Sequence, residues 1–220
     1  MPSTRSLLLA LAVAGLSASP ASAATLTLDH ECYVNAGSAV QPIVATAGGL
    51  TPGQTYNVGF TAKGGSGETG YAFGDADPAG ALGLTLNSWY GGSPYEPKVY
   101  DATVVLRDNS QNVLASVDTK TTSATIDVKG TGAKRSWKVT GLAAITGGDT
   151  YYAHYFSGTK YRGRLKIGKA SGPCGYFAGK RPLTPFSRLG RFDVKVTTTR
   201  SWAAGDPFIP GRIVVTKRYR

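Results

Sequence analysis

The chain has 220 residues and a formal net charge of +11, with 24 Lys and Arg against 13 Asp and Glu. A hydrophobic content of 41% and an aromatic content of 10% exclude a disordered polyelectrolyte, which carries too little apolar surface to collapse. Two cysteines are too few for a small disulfide-stapled scaffold, and the length suits one large or two small domains.

The first 23 residues carry a positive start at Arg5, an apolar run from Leu7 to Leu16, a breaker at Pro20 and the small residues Ala21-Ser22-Ala23. That order is the one a secretory signal peptide needs, and it predicts cleavage after Ala23. The run is short of the ~20 apolar residues that cross a bilayer, and no later segment is expected to span a membrane. The expected location is therefore extracellular or in the cell envelope. In an oxidising compartment, two cysteines favour a bond between Cys32 and Cys174. Two separate buried thiols are the other reading.

Beyond the leader no helical period is sustained, and a period of two recurs. Val40–Ala45 is a strand candidate that Pro42 assigns to an edge or an irregular position. Tyr56, Val58, Phe60 and Ala62 alternate with polar or small residues, as do Leu82, Leu84 and Leu86. Tyr100, Ala102, Val104 and Leu106 follow in the same way, and Val113–Val117 reads as a hairpin partner. Asp75-Ala76-Asp77-Pro78 reads as turn chemistry rather than a calcium site, for which partner oxygens are lacking.

Asp118 to Ser123 is polar and free of large apolar residues, and the charge changes sign there. From Ala24 to Lys120, nine acidic and four basic residues give a net charge of −5; from Thr121 to Arg220, nineteen basic and four acidic residues give +15. The expected junction lies near Thr121, between an acidic domain at 24–120 and a basic one at 121–220. In the second half, Ala124, Ile126 and Val128 alternate, then Trp137 and Val139. Thr150–Ser157 is rich in Tyr and Phe, which favour strands. Tyr161, Leu165 and Ile167 are assigned to one strand face, with Phe192, Val194 and Val196, then Ile213 and Val215, completing the pattern. Short strands at such spacings, separated by Gly and Pro, predict an all-β chain of two tandem immunoglobulin-like antiparallel β-sandwich domains.

Glu31-Cys32-Tyr33-Val34 with Gly49-Leu50-Thr51-Pro52-Gly53, and Tyr152-Ala153-His154-Tyr155-Phe156 with Gly172-Pro173-Cys174-Gly175, resemble uncharacterised exported actinobacterial proteins with tandem immunoglobulin-like domains. The resemblance implies export, two β domains and the pairing of the cysteines. It implies no activity.

Arg162, Arg164 and Lys166 are expected on one face of a strand, Arg212, Arg218 and Arg220 in the last strand region, and Lys180 and Arg181 in a loop. Such cations could contact an anionic cell-wall polymer, a polysaccharide or nucleic acid, through charge alone. The alternative is the polar outer face that any antiparallel sheet carries. Gly163 to Ala170 nearly spells a phosphate-binding loop, but Ala170 stands where a hydroxyl should meet Mg²⁺ and the segment overlies a strand pattern. His30 and His154 belong to no metal or nucleophile motif. No catalytic residue, metal or cofactor is expected. The reading is a non-enzymatic envelope binding or structural protein, with a secreted protein–protein interaction or adhesion module, and then a hydrolase with an unrecognised site, as alternatives.

Overall fold

A computed structural model describes residues 23–37, 40–63, 68–87 and 96–216. The expected leader, apart from Ala23, and the candidate residues Arg218 and Arg220 lie outside the described residues. No helix among the described residues is long and apolar enough to cross a membrane.

The chain forms two tandem β-sandwiches. In the first, β1 (Thr25–Leu28), β3 (Ile43–Gly48) and β6 (Leu82–Leu86) make a sheet of order β1-β3-β6. It packs on β2 (Cys32–Asn35), β8 (Val113–Ser123), β7 (Val99–Arg107), β4 (Thr55–Ala62) and β5 (Tyr71–Asp75), hydrogen-bonded in that order. All pairings are antiparallel except β2 with β8. The period-two residues meet between the sheets: Ile43, Ala45 and Leu86 from one, and Tyr56, Val58, Phe60, Val104 and Leu106 from the other, all buried. Pro42 precedes β3, which is the central strand of its sheet rather than an edge.

In the second sandwich, β13 (Phe177–Pro182), β10 (Lys134–Thr140) and β9 (Thr125–Lys129) form one sheet in that order. The other is β12 (Lys160–Lys169), β11 (Thr150–Ser157), β14 (Gly190–Thr197) and β15 (Ile209–Val215). Trp137, Tyr151, Tyr155, Ile167, Phe192 and Val196 fill a second, separate core. Burial pushes the Tyr151 hydroxyl up to about 12. That hydroxyl donates to the Gly175 carbonyl at 2.6 Å and accepts from the Ala143 N–H at 3.1 Å.

The polar stretch expected to link the halves is instead the end of β8, and its threonines are buried: Thr121 and Thr122 are 0% exposed. Several hydroxyls there are joined to backbone carbonyls, whereas that of Thr121 is buried without a hydrogen-bond partner. Thr122 Oγ1 donates to the Lys98 carbonyl at 2.8 Å, and Thr140 Oγ1 to that of Ser123 at 2.7 Å. A short helix α1 (Leu142–Thr146) packs against β2 and carries the second sandwich up to the first. Gly141 precedes it at φ 85°, where a Cβ would lie 2.8 Å from Ala124 Cα and 2.9 Å from a Val34 methyl, so only glycine permits the approach.

Cys32 and Cys174 are bonded, with a sequence separation of 142 and Cα atoms 5.3 Å apart. The bridge ties β2 of the first sandwich to the turn before β13 of the second. In the chain-entropy account a closed loop of this length adds about 5 kcal/mol to stability.

Candidate functional site

Three of the expected cation positions change place in the structure. Two bulges interrupt the pairing of β11 with β12, between Tyr151 and Tyr152 and between Tyr155 and Phe156. The register pairs Tyr152 with Lys166, His154 with Arg164 and Phe156 with Tyr161, and paired residues share a face. Tyr161 therefore lies on the outer face with Arg164 and Lys166, not with Leu165 and Ile167. Arg162 is the extra residue of one bulge and leaves that row, with its Nε buried. Lys180 and Arg181 lie in β13, not in a loop, and point to opposite faces. Arg181 lies over the Phe177 ring at 5.3 Å, whereas Lys180 is exposed on the outer face.

The outer face of the β12-β11-β14-β15 sheet is covered by residues 198–208, the connection between β14 and β15. Asp206 pins this strap by accepting from Thr199 Oγ1 at 2.7 Å and the Ala203 N–H at 3.1 Å. Trp202 packs on His154 and Phe156 with ring centroids 5.9 and 5.4 Å apart. The Lys195 ammonium lies 4.5 Å from the Trp202 ring centre, 4.6 Å from that of Phe208 and 5.4 Å from that of Phe156. Arg164 donates to the Arg200 carbonyl, and Arg212 pairs with Asp193 at 3.1 Å. Most cations on this face are thus engaged within the molecule; Lys166 remains exposed.

His154 sits beneath the strap, 0% exposed. Its Nε2–H donates to the Thr199 carbonyl at 3.2 Å and lies 3.0 Å from Thr197 Oγ1, while the Tyr161 hydroxyl is 3.4 Å from Nδ1. Burial holds its pKa below the ordinary value of 6.5; the Thr199 carbonyl opposes this, the Arg164 guanidinium adds to it, and Asp206 opposes it. With both nitrogens within reach of protein groups and the ring buried, this imidazole packs the strap onto the sheet.

The β9-β10-β13 sheet differs. Its inner face is Trp137 and Val139 with Phe177 and Gly179. Its outer face carries Lys134, Ser136 and Lys138 on β10. Ser136 is paired with Lys180 on one side and Lys129 on the other. The Lys129 ammonium is bound by Asp127 at 2.9 Å, which holds its pKa up. Among the described residues no carboxylate lies within ion-pair distance of Lys134, Lys138 or Lys180. Alternate residues on β10 are separated by ~7 Å and neighbouring strands by ~5 Å, so four ammonium groups share one small surface. The sequence pattern alone did not single out Lys129, Lys134 and Lys138. A Lys-x-Ser-x-Lys alternation opposite Trp137 and Val139 was the available signal.

This face runs into a cleft between the two sandwiches. The cleft has a volume of about 640 Å³ and is walled by Lys98 and Val99 from the first sandwich and by Lys138, Pro173 and Tyr176 from the second. Lys120 and Pro173 also border a second hollow, of about 920 Å³, over the outer face of β7 and β8. There Lys120 binds Asp101 at 2.7 Å, which holds the Asp101 carboxyl below its usual range. Asp77, from the expected turn, accepts from the backbone N–H groups of Ala79 and Ala81 at 2.9 and 2.8 Å, as turn chemistry requires. The segment from Gly163 to Ala170, with its phosphate-loop spacing, is part of strand β12 up to Lys169.

No family model matches the chain, and no curated protein does. Among solved structures it is similar to macromomycin at 23% identity and a TM-score of 0.34, over 44% of this chain and 97% of that one. It is similar to the YadV chaperone at 11% identity and a TM-score of 0.30, over 86% and 99%. The fibronectin(III)-like modules of Clostridium thermocellum CbhA match at 12% identity and a TM-score of 0.27, over 87% and 94%.

Proposed function

We propose that this chain is an exported, non-enzymatic binding protein of the cell envelope, and that the β9-β10-β13 face of its second sandwich contacts an anionic polymer such as a cell-wall polymer or polysaccharide. The leader-like residues 1–23 and the disulfide support export. The observation that carries the binding reading is the cluster of Lys134, Lys138 and Lys180 on one outer face with no carboxylate in ion-pair range among the described residues. An ordinary solvated sheet face mixes both signs of charge; here Asp127 is the acidic member and it is engaged by Lys129. Contacts of this type release counterions and weaken steeply with salt.

Retention on immobilised heparin through a salt gradient tests the reading. The protein should elute above ~0.15 M salt, the physiological value, and Lys134→Glu/Lys180→Glu should elute well below it. Co-elution of the two proteins would overturn the assignment of this face. The reading of a protein-interaction or adhesion module is favoured by a different observation. Tyr71 and Phe73, on the edge strand β5, are 54% and 67% exposed on one face. If that surface is the functional one, Tyr71→Ser/Phe73→Ser abolishes attachment to whole cells while heparin retention is unchanged.

A further inference from the structure

The cleft between the sandwiches has a construction different from the lysine face that borders it. One wall belongs to each sandwich. The wall from the first is the segment entering β7, where the buried Thr122 hydroxyl holds the Lys98 carbonyl at 2.8 Å. The wall from the second is β10 together with the turn through Pro173 and Tyr176. That turn is closed by the Ser171–Tyr176 bridge, with N–H to carbonyl distances of 2.8 Å in both directions. Cys174 lies in the lining and is bonded to Cys32 of the other sandwich, so the two walls are covalently held in register.

The charges are divided in the same way. Of the lysines bordering the cleft, Lys120 is bound by Asp101 and Lys129 by Asp127. Lys98 lies over the Tyr100 ring at 4.8 Å, and neither it nor Lys138 has a carboxylate within ion-pair distance among the described residues. Each wall therefore presents one uncommitted ammonium. Between them lie Val99, Pro97, Pro173 and the half-buried Tyr176, an apolar floor; the lining also holds two carboxylates, Glu96 and the Lys129-bound Asp127, against the four ammonium groups of Lys98, Lys120, Lys129 and Lys138. A volume of about 640 Å³ falls in the range of small-molecule sites rather than of polymer grooves.

We propose that this cleft is a second binding site, for a compact organic anion whose ring body rests on Tyr176 and Pro173 and whose charged groups are held by Lys98 from one sandwich and Lys138 from the other. The apolar floor requires a ring or hydrocarbon body, so inorganic anions bind poorly. The two ammonium groups require negative charge, so neutral sugars bind poorly. The site shares Lys138 with the polymer face but does not depend on the rest of that face. Lys134 and Lys180 serve the outer face and do not border the cleft.

Titration calorimetry with glucose 6-phosphate and with phenyl phosphate tests the proposal and separates a sugar body from an aromatic one; inorganic phosphate and glucose are the controls. At least one ring phosphate should bind ten times more tightly than either control. Lys98→Gln and Lys138→Gln should each weaken that binding about fivefold, the scale of removing one solvent-accessible ion pair. Lys134→Glu/Lys180→Glu should change it by less than about twofold, since those charges lie outside the cleft and are screened. Two results overturn the proposal: neither ring phosphate exceeding inorganic phosphate, or full affinity retained in the Lys98→Gln/Lys138→Gln protein. Loss of heparin retention in Lys134→Glu/Lys180→Glu with ring-phosphate binding intact leaves both readings standing. The converse pattern separates them.

Discussion

The two outer faces of the second sandwich are both rich in cations and use them in opposite ways. On the β12-β11-β14-β15 face, Lys195 is enclosed by three aromatic rings, Arg164 caps the Arg200 carbonyl and Arg212 pairs with Asp193. Lys195 and Arg164 hold a strap in place, and Arg212 is committed to a pair within its own sheet. On the β9-β10-β13 face, Lys134, Lys138 and Lys180 have no carboxylate partner among the described residues. A basic strand is therefore not equivalent to a basic surface. The charge available to a ligand is what remains after the fold has engaged its share.

The largest effect expected from this contrast is on salt-dependent binding. Reversing Lys134, Lys138 and Lys180 to Glu should reduce the slope of log affinity for a polyanion against log salt by about three, one for each ammonium group removed. Surface charges of this kind affect stability by no more than about 0.5 kcal/mol. Reversing Arg164, Lys195 and Arg212 should leave the slope within about one unit and destabilise the fold instead. Equal reductions of slope in both triple variants, measured by titration at several salt concentrations, would break the distinction.

Trp202→Ala addresses the strap alone. It removes the ring that packs on His154, Phe156, Phe208 and Lys195. It should cost about 2–3 kcal/mol in urea unfolding, less than a fully buried Trp because the ring is only partly buried, with heparin retention unchanged. A smaller effect concerns pH. His154 has a folded pKa below its unfolded value of 6.5, so the unfolded state takes up the proton first. The stability this neutral imidazole contributes is complete above 6.5 and declines as the pH falls below it. Arg164 and Lys195 flank it on the neighbouring strands, and Asp206 holds the strap above it. Unfolding curves from about pH 7.5 to 5, a range that brackets the ordinary histidine value, should show this decline in the native protein and a flatter profile in His154→Gln. The smallest effect is that of Arg212→Ala. It opens a solvent-exposed pair with Asp193 and should shift stability by no more than about 0.5 kcal/mol; a greater destabilisation would mean that the pair is part of the strap's support.

Strands whose inward positions are apolar were legible in the sequence. β4, β7 and β11 lie where alternation of Tyr56, Val58 and Phe60, of Ala102, Val104 and Leu106, and the aromatic run Thr150–Ser157 place them. β13 was not legible, because its inward positions are Phe177, Gly179 and Arg181, which carry no apolar period. β5 inverts the pattern, with Ala72 and Gly74 turned inward and Tyr71 and Phe73 outward. The end of β8 read as a linker because burial there is met by hydrogen-bonded threonines. Tyr161 was assigned to the wrong face because a bulge shifts the alternation by one residue. The lysine face was hidden for a related reason: its members come from three strands, and no single segment displays them together.

The Cys32–Cys174 bridge also decides how the molecule responds to tension. A load applied on either side of the bridge passes through the disulfide and bypasses residues 33–173, which include most of the first core and the strands from β3 to β12. Among the described residues, β1 on one side and β13, β14 and β15 on the other lie outside the bridged loop and can be drawn out. The extension released is then set by those few strands, at roughly 3.5 Å per residue. The span between the two cysteines becomes extensible only when the bridge is reduced. Held at one end and pulled at the other, such a chain acts as a short tether with a fixed stop.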